Sequence, residues 1–166
     1  MSCWASSLLT ALWASVENNA LLLARTLCIA FEGVYLRPYL CPANVPTIGV
    51  GSTRYENGVK VSLSDPPITR ARAEELLLWE LNKVCMPQVK RLCPNLEDWG
   101  PGAMAAIIDF TYNLGAGNLA ASTLRRKIAA DDREGAKAEL MKWVRGGGRV
   151  LPGLVKRREA EAKLIG

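Results

Sequence analysis

Apolar and polar positions divide the chain into three stretches with different periods. Over residues 19–31, Leu21, Leu22, Ala24, Leu27, Cys28 and Phe31 recur at near-helical spacing, which predicts a helix ended by Gly33. Residues 34–61 lose that period. Tyr35, Val45, Thr47, Ile48, Val50 and Val59 alternate with Pro38, Pro42, Pro46, Gly49 and Gly51, a pattern of short strands and turns. Asn57-Gly58 is a favourable two-residue turn, so a small antiparallel sheet is expected. From Thr69 the helical period returns and persists. Thr69 can cap a helix running to about Val84, with Ala73, Leu76, Leu77 and Leu81 on one face and Pro87 as a break before Cys93. Residues 102–114 form a nearly all-apolar helix closed by Gly115, the pattern of a central helix. Helices over 118–130, 133–145 and 152–164 complete the outline, with Pro152 at a helix start and Gly146-Gly147-Gly148 as a flexible connection. The expected fold class is α+β and mainly helical: two lobes, a small antiparallel β-sheet lobe at 34–61 and a larger helical lobe at 69–166. A cleft between lobes is a natural ligand site.

The N-terminal residues add a question. Cys3–Val16 carries no charge, but the run is only 14 residues long and no Lys or Arg precedes it. A bilayer-spanning helix needs about 20 apolar residues, and a secretory signal starts basic. Residues 1–19 therefore read as an extra amphipathic or buried helix, with a weak export anchor as the alternative, ahead of a domain at 20–166. The length of 166 residues and an apolar share of 49% suit one domain with a real core. The formal net charge of +5 is uneven: residues 120–166 hold 12 Lys/Arg against 6 Asp/Glu, while residues 1–119 hold 9 against 10. That basic segment favours an anionic partner, and no nucleic-acid module accompanies it.

Composition narrows the chemistry. The chain has no histidine, which excludes Ser-His-Asp and Cys-His catalysis and the usual zinc hydrolases. No metal and no cofactor is expected. Of the five cysteines, Cys85 and Cys93 could pair in an oxidising space, while buried free thiols are the default. Asp109, alone in the apolar helix, needs a buried partner, and an arginine of the last helix could supply it. Arg157-Arg158 followed by Glu159 reads as bracing of that helix by ion pairs. Trp4, Trp13, Trp79, Trp99 and Trp143 read as packing residues.

One constellation carries chemistry. Glu32 closes the first predicted helix, and Cys41 and Thr47 follow in the spacing Glu-x8-Cys-x5-Thr. A carboxyl at a helix end packed against apolar residues can be held protonated and give its proton to a leaving oxygen. A thiol and a hydroxyl on the facing sheet could hold a water across the scissile bond, the arrangement that glycoside hydrolysis requires. Taken singly, each of the three also fits a structural place.

The run Phe31-Glu32-Gly33, Tyr39, Pro42 and Thr47–Thr53 (TIGVGST) closely resembles the motif of phage-type lysozymes, the endolysins of glycoside hydrolase family 24, which carry Glu-x8-Asp-x5-Thr or Glu-x8-Cys-x5-Thr. Residues 105–118 (AAIIDFTYNLGAGN), Trp143, Gly147-Gly148 and Leu151–Leu154 (LPGL) followed by Arg157-Arg158-Glu159 resemble that family's helical lobe. The resemblance implies a lysozyme-like fold and a muramidase that cleaves the β-1,4 bond between N-acetylmuramic acid and N-acetylglucosamine in peptidoglycan, lysing the host. It implies Glu32 as the general acid, and Cys41 and Thr47 in the places that hold or activate water. Tyr112, Asn113 and Gly115 would line the sugar cleft. Cys41 could act as a base, orient the water or attack covalently, and a disulfide to Cys28 or Cys3 would block it. Peptidoglycan is the implied partner of a monomeric enzyme that meets the membrane only transiently. The host cytoplasm until lysis is its implied place. The rival readings are a lytic transglycosylase on the same bond and an inactive wall-binding or phage structural domain.

Overall fold

The computed structural model describes residues 3–166, with side chains from Ser15 onward. A 30-residue helix, α1 (Cys3–Glu32), opens the chain, so helix extends well before the expected start at residue 19. It buries Ala20, Leu21, Ala24 and Cys28. Gly33 ends it: its φ of +77° is the left-handed conformation that glycine adopts without strain.

The chain then forms a two-stranded antiparallel sheet from β1 (Tyr35–Leu40) and β2 (Pro46–Gly49). Tyr39 faces Thr47 and Tyr35 faces Gly49, with an irregularity between them around Pro38, which has no N–H for the ladder. Asn57-Gly58 does make a turn, in which the Asn57 side chain accepts from the Val59 N–H, but only an isolated Arg54–Lys60 bridge follows it.

Thr69 caps α2 (Arg70–Glu80), accepting from the Arg72 N–H at 3.1 Å. Pro87 does not break the helical path. A π-helical turn, Leu81–Cys85, leads into α3 (Met86–Leu92), where Met86 N–H bonds Leu81 C=O. The wider turn relieves the clash of a proline ring with the carbonyl four residues back. Cys85 and Cys93, the pair considered for a disulfide, are buried free thiols. Burial pushes them up, to about 12 and about 11. Cys28 and Cys41 are also free, and Cys3 lies outside the described side chains, as do Trp4 and Trp13.

The centre of the helical lobe is α4 (Pro101–Leu114), buried continuously from Ala103 to Thr111. The expected helix over 118–130 is two helices, α5 (Ala116–Ala121) and α6 (Thr123–Ala129). Ser122 separates them with an extended backbone, its hydroxyl donating to Leu119 C=O and accepting from Arg125 N–H. Next, α7 (Arg133–Leu140) stops five residues before the expected end. The three glycines are no loose connection: β3 (Arg145–Gly146) and β4 (Arg149–Val150) pair across Gly147-Gly148, whose φ values of +55° and +78° make a tight hairpin turn. Helix α8 (Pro152–Ile165) closes the fold against α4 and α1. Trp99 is buried, Trp143 meets Phe110 edge-on at 5.4 Å, and Trp79 lines a surface cavity with Thr53, Tyr55 and Glu80.

Candidate active site

Glu32 stands at the C-terminal end of α1, where Gly33 turns the chain into the sheet. It lines a pocket of about 230 Å³ with Phe31, Asn113, Leu151, Gly153, Leu154 and Arg157. Its surroundings differ from the apolar packing expected of it. The side chain is 31% exposed and accepts a hydrogen bond from Arg157 Nη1. Arg157, only 3% exposed, is itself fixed from below. Its Nε and Nη2 donate to Asp109 Oδ2 and Oδ1, both at 2.8 Å. Thus one guanidinium joins α1, α4 and α8, and the partner expected for Asp109 is Arg157.

The charges beneath the pocket are ordered by this geometry. Burial pushes the Asp109 carboxyl up, but the Arg157 guanidinium more than offsets it and holds the group below the usual carboxylate range. Cys28 donates its thiol to Asp109 Oδ1 at 3.0 Å, and burial together with Asp109 raises it far beyond an ordinary thiol. Glu161, fully buried on α8, lies 2.8 Å from Arg158 Nη2 and 3.9 Å from Arg157 Nε, yet neither of its carboxyl oxygens has a well-directed hydrogen bond. Burial first, and Asp109 second, push Glu161 well above the carboxylate range. The ion pairs by which Arg157 and Arg158 brace the last helix run to Asp109, Glu32 and Glu161.

The sheet brings Cys41 and Thr47 together. Cys41 follows β1, and its N–H bonds Val45 C=O across the turn at 3.1 Å. Thr47, buried on β2, donates to Val45 C=O at 2.9 Å. Backbone hydrogen bonds at Val45 and Ala43 stabilise a Cys41 thiolate and lower its pKa. Tyr39, opposite Thr47, stands in the fields of both Cys41 and Glu32.

Of the three helical-lobe residues, only Asn113 lines the pocket beside Glu32. The Tyr112 hydroxyl is spent on Val50 C=O at 2.8 Å, so Tyr112 ties α4 to the end of the sheet. Gly115 ends α4 with a φ of +85°. Sequence reasoning missed Arg157 as the partner of Glu32. The available signal was charge: a carboxylate inside an apolar helix needs a cation, and a buried arginine has donors enough for two carboxylates.

The motif and its setting have counterparts. The description of the phage lysozyme family matches residues 29–161. The endolysin of Acyrthosiphon pisum secondary endosymbiont phage 1 is 35% identical over 143 residues, covering 81% of this chain and 89% of that one. The SAR-endolysin of Bacteriophage PS119 is 32% identical over 155 residues, covering 89% and 87%. Among solved structures, the endolysin from Escherichia coli O157:H7 phage FAHEc1 superposes with a TM-score of 0.74 at 26% identity, covering 90% of this chain and 92% of that one. With its residues 29–161 matched and relatives of 32–35% identity covered over most of both lengths, this histidine-free chain belongs to the phage lysozyme family and is a glycoside hydrolase.

Proposed function

We propose that this phage lysozyme, a muramidase endolysin acting on the peptidoglycan of its host, uses Glu32 as the general acid. Glu32 gives its proton to the glycosidic oxygen as the sugar–oxygen bond breaks. A water held by Thr47 adds to the anomeric carbon and gives its proton to the Cys41 thiolate, so the products are two sugar ends and no anhydro ring. Asn113 contacts the sugar chain. The observation that carries this reading is the Glu32 carboxyl at the mouth of a pocket, fixed by an arginine that is itself locked on Asp109. Fixing the acid in advance is what lets a single carboxyl serve catalysis without an imidazole.

The test is clearing of permeabilised Gram-negative cells. Glu32→Gln is expected to lose at least 100-fold in rate while keeping the fold. Equal clearing by wild type and variant would remove Glu32 from this role. Mass spectrometry of the released fragments checks the route, since anhydro ends would replace water with the substrate's own hydroxyl.

We place the catalytic domain at 20–166, because Ala20 is the first buried core residue among the described side chains. In this reading the enzyme is a monomer that accumulates in the host cytoplasm until lysis and meets the membrane only in passing. The uncharged run at 3–16 is shorter than the ~20 residues that a bilayer requires. Fractionation of expressing cells tests this, and recovery with the membranes would make residues 1–19 an export anchor instead.

A further inference from the structure

Arg158 is fully buried on α8, and the one hydrogen bond it donates among the described residues runs from Nη2 to Asn113 Oδ1 at 3.0 Å. Phe110 lies under the guanidinium at 5.2 Å, and Glu161 sits 2.8 Å from Nη2. Arg158 therefore has a stacked face and an acidic neighbour that hold it in place. An arginine carries only donors. A guanidinium facing the end of an asparagine can meet only its carbonyl, because the flipped amide would set donors against donors. The orientation of Asn113 is thus decided by chemistry: Oδ1 is turned to Arg158, which leaves the Nδ2 donors free of it. Among the described residues, Nδ2 donates to no protein acceptor. Asn113 shares that pocket with Glu32.

We propose that Arg158 is a positioning residue that locks the Asn113 amide so that its two N–H donors read a carbonyl acceptor of the substrate, the acetamido oxygen of an N-acetylated sugar beside Glu32. The proposal rests on the muramidase reading of the same pocket and names what that pocket selects. An acetamido group offers a carbonyl oxygen to Nδ2. A de-N-acetylated sugar offers an ammonium instead, which sets cation against donor and leaves the amide unpaired. Sites built around a polar partner discriminate strongly against an analogue that lacks it.

The experiment compares cleavage of purified sacculi with cleavage of the same sacculi after enzymatic de-N-acetylation. Wild type is expected to lose at least 10-fold in kcat/KM on the second, mainly through KM. Asn113→Asp keeps an acceptor for Arg158 but replaces the donors with a carboxylate, which attracts an ammonium. Its preference is expected to fall below 3-fold or to invert, with thermal stability kept. Arg158→Met frees the amide to rotate, and the folded variant is expected to lose the preference as well. The measured ratio is internal to each variant, so a general loss of rate does not affect it, and Asn113→Asp carries the test if Arg158→Met fails to fold. A wild type that cleaves both sacculi equally, or an Asn113→Asp variant with the wild-type ratio, overturns the proposal. Glu32→Gln is run alongside: activity retained there refutes the muramidase reading itself, whereas an inactive Glu32→Gln with an unchanged Asn113→Asp ratio refutes only the role of the amide.

Discussion

Replacing Asp109 with Asn tests whether a buried ion pair holds the site. Asp109 has no exposure and Arg157 has 3%, and two N–H···O contacts of 2.8 Å join them. Asn keeps the shape and one acceptor but sets an amide donor against the guanidinium and removes the charge. Breaking a buried pair by removing one partner costs about 3–5 kcal/mol. Arg157 still has Glu32, so the lower end, about 3 kcal/mol, is expected, which for a chain of this size lowers Tm by roughly 6–12 °C. The pH dependence has a definite sign. The carboxyl of Asp109 is depressed in the folded state, so its contribution is present above the unfolded value of about 3.9 and is lost as pH falls through the folded one. Urea unfolding of wild type and Asp109→Asn at pH 7 and at pH 3 should therefore give a gap that narrows in acid. Glu161→Gln should slope the other way. Glu161 is raised by burial, so wild type carries a growing penalty above about pH 4.3, and the Gln variant gains on it as pH rises. A gap for Asp109→Asn below about 1 kcal/mol at pH 7, or one that does not narrow in acid, would refute the assignment of an ionised Asp109.

The thiols offer a further check. Cys41 is held below an ordinary thiol by backbone groups and is partly exposed, so iodoacetamide should alkylate it before the three other described thiols, with a midpoint at lower pH than free cysteine. Cys28, Cys85 and Cys93 should react only on unfolding, and peptide mapping after brief labelling distinguishes the four. Gly51→Ala should destabilise by about 1–3 kcal/mol, because φ is +110° and an added Cβ would lie 3.2 Å from the Tyr112 hydroxyl. Thermal unfolding reads this, and an unchanged Tm would remove Tyr112 as the tie between sheet and α4.

Much of the order of the helices and the first sheet was legible in the sequence, as was the position of Glu32 at a helix end. The pattern found α4 and α8 to within a residue and the start of α2, because α4 is apolar almost throughout, Pro152 marks the start of α8, and Ala73, Leu76 and Leu77 of α2 face the core at helical spacing. The Glu-x8-Cys-x5-Thr run was legible because a helix end with a glycine stop and a short hairpin are local features: the first puts Glu32 at the end of α1, and the second puts Cys41 beside Thr47. Local rules failed where a side chain or a wider turn answered a local conflict. Ser122 capped a new helix inside an apparently continuous one, a π-turn absorbed Pro87, and two glycines closed a hairpin instead of forming a slack loop. Only the tertiary structure decided what holds Glu32 and which way Asn113 faces. Arg157 lies 125 residues from Glu32 and 48 from Asp109, and Arg158 lies 45 from Asn113. Such contacts leave no periodic trace: a single buried charge announces that it needs a partner, but only the packing of α8 across α1 and α4 determines which guanidinium arrives and with which of its donors.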